Sequence, residues 1–170
     1  MGRSLELELA ERLDTVLGIA ERLAASHDRE DLFRMIVDET RRALRADATT
    51  IRILRDDRLE VAAWAGLPTD VAADLPDLRR DEGWVNEVLR TGRVLAFPDV
   101  GAEPAPGEGP ADGVARFAGD LIAPLVHHDR IIGVLAAMTY EPRDWTSGDV
   151  AFITTLATHA AIALTNAELF

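Results

Sequence analysis

The sequence predicts an α+β domain, an antiparallel central sheet with the N- and C-terminal helices on one face and short helices and loops over the other. Three observations predict it. Two helical patterns precede any strand, and the strand-like segments that follow come in hairpin-spaced runs without regular alternation with helices. Two late segments, Asp120–Val126 and Ile131–Tyr140, are apolar on successive residues, which means that both of their faces are covered. A chain of 170 residues suits one such domain with an added helix, and at that size no disulfide or metal is needed to hold a core.

The first helix is read from Leu9, Leu13, Val16, Ala20 and Leu23, which recur at steps of four and three with Glu6, Glu8, Glu11, Arg12, Glu21 and Arg22 between them. We expect residues 1–27 to form a dimerisation or signalling helix ahead of a domain over residues 28–170. Ser26 and Asp28 supply cap chemistry for a second helix, whose apolar face is Leu32, Phe33, Ile36, Val37 and Leu44. From Ala48 the period becomes two, and Asp56-Asp57-Arg58 turns the chain into Leu59–Ala65, a hairpin. Pro68 to Arg80 reads as loosely helical, and Gly83–Thr91 as a helix stopped at Gly92. Val94–Val100 reads as a strand, and Gly101–Gly113, almost all glycine, proline, alanine and acids, as a long loop or lid. After the two central strands, Thr146 or Ser147 with Asp149 starts a helix rich in alanine that runs to the last residue.

Composition excludes several chemistries. The chain has no cysteine, which rules out disulfides, thiolate metal sites, thiol catalysis and thioether attachment of a chromophore within it. Its net charge is −12 and every basic residue is a scattered arginine, so nucleic acid and anionic membranes are not expected partners. The acidic N-terminus has no apolar signal core and no apolar run reaches membrane length, so membrane insertion is not expected and a cytoplasmic location is.

No catalytic constellation emerges. Ser4, Ser26 and Ser147 lack a nucleophile-elbow setting, and Ser147 stands at a helix start. Gly107 to Gly113 imitates a dinucleotide fingerprint with its last glycine one position late and two acids where phosphates would lie. His127 and His128 fall at a hairpin tip, where neighbours point to opposite sides, and His27 with Asp31 has helical spacing but sits in a cap region. His159 is expected at an interface or in solvent. We expect no metal site. Gly133, inside an apolar strand, suggests a close backbone approach or a bulge, and Asp99 after Pro98 either caps a turn or faces a pocket.

A binding function rests on the middle of the chain. Trp64, Trp84, Phe97, Phe117 and Met138 are candidates to line a cavity, with Asp99 at its edge and Arg79, Arg80 or Arg116 as a polar anchor; the alternative is that the aromatics are simply core under a long loop. The pocket would suit a flat, apolar or carboxylated small molecule. A dimer interface is expected on Leu9, Leu13, Val16 and Ala20 of the first helix and Ala157, Ala160 and Leu164 of the last, unless those helices merely cover their own sheet.

Gly83-Trp84-Val85, Thr91-Gly92-Arg93-Val94, Asp99, Ala123-Pro124-Leu125-Val126, Ile132-Gly133-Val134-Leu135, Trp145-Thr146 with Asp149, and Leu156 to Phe170, in that order and spacing, resemble a GAF domain over about Asp28 to Phe170. The resemblance implies a sensory module, often fused to a histidine kinase, phosphatase, cyclase or transcription regulator, with its pocket on the sheet face opposite the terminal helices. Cyclic-nucleotide-binding members carry a lysine-containing signature that this chain cannot supply. Bilin-binding members and the family's sulfoxide reductases need a cysteine, and haem-binding members a histidine where this chain reads Gly113-Val114-Ala115-Arg116-Phe117. Haem, covalently attached bilin and cyclic nucleotide are therefore disfavoured and no cofactor is expected. The expected function is small-molecule sensing by a non-catalytic domain of a signal-transduction protein, of the two-component type among others. The alternative is a ligand-free homodimerisation and signal-relay module acting on a downstream output domain through its terminal helices.

Overall fold

The computed structural model describes residues 2–101 and 117–168. Helices α1 (Gly2–Ala25) and α2 (Arg29–Leu44) come first, divided at Asp28. Asp28 has an extended backbone, and its carboxylate accepts the N–H groups of Glu30 and Asp31 at 2.9 and 3.3 Å, satisfying donors that a helix start leaves without partners. The chain then forms β1 (Ala48–Arg55), β2 (Arg58–Ala65), α3 (Thr69–Ala73), β3 (Leu78–Arg79), α4 (Gly83–Thr91), β4 (Leu95–Phe97), β5 (Gly119–His127), β6 (Arg130–Thr139) and α5 (Ser147–Glu168).

The six strands make one antiparallel sheet in the order β3-β2-β1-β6-β5-β4, with β1, β6 and β5 at its centre. The β5–β6 turn uses His128 and Asp129, both with positive φ (49° and 60°), the backbone of a type I′ turn without the Asn-Gly that usually supplies it. Gly133 is glycine because β1 runs close beside it: a Cβ there would lie 2.1 Å from the Arg52 carbonyl oxygen.

Side-chain parity divides the sheet into two buried faces. Ile51, Ile53, Leu121, Ala123, Leu125, Leu135 and Ala137 face the layer of α1, α2 and α5, packing on Ile19, Leu23, Leu32, Ile36, Leu156 and Ala160. Each large aliphatic side chain fully buried there contributes about 1.5–3 kcal/mol, and the alanines of α5 let that helix lie close to α1 and the sheet. Leu59, Ile122, Val134 and Ala136 point the other way, under Trp84, Val85 and Val88 of α4 and under Val100. The layered architecture is the one the sequence implies.

Four segments differ from expectation or fall outside the description. The strand expected over 94–100 is only Leu95–Phe97, because Pro98 has no N–H to donate and Asp99 bends the chain by accepting the Gly101 N–H at 3.1 Å. The loosely helical stretch at 68–80 holds α3 and also β3, which pairs with the start of β2 at Arg58 and Leu59. The long loop expected over 101–113 lies outside the described residues beyond Gly101, as do the last two residues expected to complete the C-terminal helix.

Candidate ligand site on the outer face of the sheet

The face of the sheet away from the terminal helices is not uniformly apolar. Thr50 and Arg52 on β1 have the opposite parity to Ile51 and Ile53, and across the register Ala48 meets Met138 and then Asp120, Thr50 meets Ala136 and then Ile122, and Arg52 meets Val134 and then Pro124. Thr50, Arg52 and Asp120 are thus on one surface, with the small Ala136 at its middle. All three are buried, 1%, 1% and 2% exposed. Burial of a cation, an anion and a hydroxyl in a layer otherwise made of aliphatic and aromatic groups costs free energy unless each is served by polar partners. One guanidinium nitrogen of Arg52 donates to the Pro76 carbonyl at 3.4 Å, while the Thr50 hydroxyl has no hydrogen-bond partner among the described residues.

The residues singled out from sequence separate around this surface. Trp84 is buried and Phe97 partly buried in the α4 cluster, and Met138 is fully buried beside Asp120. Phe117 stacks on Tyr140 with ring centroids 4.9 Å apart. Asp99 makes the turn described above. Trp64 is 41% exposed, on the stretch of β2 beyond its short pairing with β3. Arg80 is exposed at the hairpin end of the sheet, where its Nη1 donates to the Asp56 carbonyl at 3.3 Å and it lines a separate cleft of about 360 Å³ with Arg55 and Arg130. Arg116 lies outside the described residues. Thr50, Arg52 and Asp120 were not among the expected site residues. Their signal was in the sequence: β6 is apolar on successive residues, so the arginine of the neighbouring strand cannot reach solvent on that face either.

The terminal helices meet at a second polar feature. Arg12 of α1 donates to one oxygen of Asp149 at 3.1 Å, and Arg143 to the other at 3.4 Å. Thr146 and Asp149 exchange backbone-to-side-chain bonds of 3.0 Å, a capping box at the start of α5. Arg143 also donates to the Leu44 carbonyl at 2.6 Å and lies over the Trp145 ring, so the middle of α1 and, through Arg143, the end of α2 are tied to the carboxylate at the start of α5, beside a cleft of about 630 Å³. Burial pushes the Asp149 carboxyl up, but the Thr146 N–H and the Arg143 and Arg12 guanidinium groups outweigh it and hold the carboxyl below the usual carboxylate range. Of the expected interface residues, Val16, Ala157, Ala160 and Leu164 are buried in the chain's own core and Ala20 is half-buried. Leu9 and Leu13 remain more than half exposed, and with Leu5 and Leu17 they continue along α1 at steps of four.

His127 and His128 come together edge to face, centroids 4.1 Å apart, because the left-handed backbone of His128 ends the strand alternation. Among the described residues no group of three or more His, Cys, Asp or Glu is placed to hold a metal ion.

The GAF domain family model matches residues 26–165, most of the chain. The chain belongs to the GAF domain family. Its solved neighbours agree in fold. The GAF domain of a phosphoenolpyruvate-protein phosphotransferase from Coxiella burnetii is 24% identical, with a TM-score of 0.82 over 95% of this chain and 96% of that one. Free methionine-R-sulfoxide reductase from Neisseria meningitidis, solved with its substrate, is 16% identical with a TM-score of 0.79, covering 95% and 93%. A methyl-accepting chemotaxis protein segment is 23% identical with a TM-score of 0.72, covering 89% and 97%. A comparison with curated protein sequences found no match. GAF domains thus occur in signalling proteins as regulatory modules, and nothing in the described residues of this one is positive evidence for catalysis.

Proposed function

We propose that this GAF domain senses a small molecule, bound without a covalent link on the outer face of its sheet, and that it regulates a signal-transduction protein without being catalytic itself. The observation that carries the reading is the burial of Arg52 and Asp120 in the layer that α4 helps to cover. Charged groups in such a place are expensive to keep for packing alone and useful for fixing a ligand's orientation. An output domain of kinase, phosphatase, cyclase or transcription-regulator type, in the cytoplasm, completes the reading. Isothermal titration and thermal-shift screening against a metabolite library at millimolar concentrations tests it. A ligand that raises Tm is the expected result, and a library that moves nothing overturns it.

A second reading is carried by α1. Leu5, Leu9, Leu13 and Leu17 are each half exposed or more, an apolar row that a single protomer leaves in water. We propose that a second copy of the chain covers it, bringing two α1–α5 layers together as a helical bundle. The Arg12–Asp149 pair then couples the bundle to the domain body. The two readings are compatible, because a ligand shifts the dimer only by preferring one helix arrangement. Sedimentation at micromolar concentration is expected to give a dimer, and a monomer overturns this reading.

A further inference from the structure

Apart from the outer face, the hairpin end of the sheet holds a cleft whose charge runs against that of the chain. Four guanidinium groups, of Arg29, Arg55, Arg80 and Arg130, line about 360 Å³ of space with only two carboxylates, Asp56 and Glu168, in a chain whose net charge is −12. We infer that this cleft is a binding site for a small organic dianion, a phosphate monoester or a dicarboxylate, held by Arg55, Arg80 and Arg130.

The space comes from the sheet itself. β1 and β6 pair as far as Ile53 and Gly133, and both strands run on from there, β1 to Arg55 and β6 back to Arg130, without a further pair between them. Leu54 and Arg55 pair only with β2, Arg130 and Ile131 only with β5, and the register shift at Leu125 and Val126 passes over Ile132. The two strands therefore fork, and residues from both prongs line the cleft. The inner edges of a fork present backbone groups that no neighbouring strand takes up.

The charge is unmet as well. Arg29 is engaged with Glu168 at 3.0 Å, and Arg55 with Glu60 at 3.1 Å in a pair whose partners are both exposed, so a better-placed anion can draw Arg55 away. Arg80 and Arg130 are exposed and form no ion pair among the described residues. Arg80 is nonetheless fixed in place: its backbone N–H donates to the Asp57 carbonyl at 2.8 Å and its Nη1 to the Asp56 carbonyl at 3.3 Å, which leaves its other guanidinium donors for a ligand. Four cations against two anions leave a surplus of two positive charges on the lining, which a dianion matches and a monoanion does not. Guanidinium groups suit carboxylate and phosphate oxygens because their paired N–H donors meet two oxygens at once. Ile53, Ile132 and Leu164 complete the wall, so the ligand carries a carbon body behind its charge.

The test is isothermal titration and backbone-amide NMR of the full chain at low salt, with butyl phosphate and succinate as dianions, butyrate as a monoanion and inorganic phosphate as a bare ion. At least one of the two dianions is expected to bind about tenfold more tightly than butyrate, with amide shifts concentrated at residues 53–56 and 130–132. A lead for butyl phosphate assigns the site to phosphorylated metabolites, and a lead for succinate to dicarboxylic acids. Arg80→Gln and Arg130→Gln are each expected to weaken that dianion about tenfold without lowering Tm, while Arg93→Gln, at an exposed arginine outside the cleft, keeps the affinity. Butyrate binding as tightly as either dianion, inorganic phosphate binding as tightly as its butyl ester, equal losses in Arg93→Gln and Arg130→Gln, or no binding of either dianion at millimolar concentration overturns the inference. Shifts confined to the outer face of the sheet also overturn it, and would support the sensing reading instead.

Discussion

Two arginines from different segments and a helix cap converge on the carboxylate of Asp149. Its folded pKa lies below the ordinary aspartate value, for the reasons of charge and hydrogen bonding given above. A group of that kind contributes stability that is complete above its unfolded pKa of about 3.9 and is lost as pH falls through the lower folded value. Urea unfolding followed from pH 7 downward is expected to show stability declining below about pH 4. Asp149→Asn is expected to cost about 2 kcal/mol at pH 7 and to flatten that acid limb, because the arginines lose a charged partner while the cap geometry stays. A variant with the parent's stability and acid slope would contradict this assignment. Arg52 teaches a different lesson about legibility. In Thr50-Ile51-Arg52-Ile53 the period of two assigns arginine to the solvent side, and only the doubly apolar neighbour β6 says that no solvent side exists. Reading strands one at a time misses it. Trp64, 41% exposed, lines a cleft of about 240 Å³ with Phe33 and Arg34 of α2, away from the α4 cluster that holds Trp84 and Phe97.

At the scale of elements, the segments that declared themselves had their own local chemistry. Asp28 capped α2, Gly92 closed α4 with a left-handed backbone, and polar turns at Asp56-Asp57 and His128-Asp129 joined the two β-hairpins. The missed β3 is two residues long and exists only through its pairing with β2, and the shortened β4 depends on a proline and an Asx turn. Neither has a periodicity to read. β1 and β6 run closely together at Gly133. Gly133→Ala would drive a methyl group into the Arg52 carbonyl, where the nearest atoms are all β1 backbone and no flexible side chain can yield. We expect a loss of about 2–3 kcal/mol, seen as a lower urea midpoint with an unchanged m-value. A neutral outcome would mean that the strands are not so closely paired.

For the whole molecule, the fold separates two surfaces, the sheet face under α4, for which we propose a ligand, and a helical face ending in the leucine row of α1, for which we propose a second copy of the chain. Of the residues expected on the second surface, Leu9 and Leu13 are exposed, while Val16, Ala157, Ala160 and Leu164 are buried in the chain's own core. The heptad-like stripe could not say which leucines turn inward, because α1 packs on α5 through Val16, Ile19 and Leu23 and leaves Leu9 and Leu13 outside. Leu13→Glu is expected to convert a dimer to a monomer in sedimentation and to remove the concentration dependence of the unfolding midpoint, while costing the protomer's own core little because Leu13 is exposed in it. Continued dimerisation of Leu13→Glu would place the interface elsewhere. The central claim, that the outer face holds a small molecule, is tested most directly by native mass spectrometry of the full chain purified from its own source. The account predicts a mass in excess of the polypeptide, by one small organic molecule per protomer that denaturation releases. A protein that arrives at its bare polypeptide mass, and stays there when metabolites from that source are added back, would contradict it.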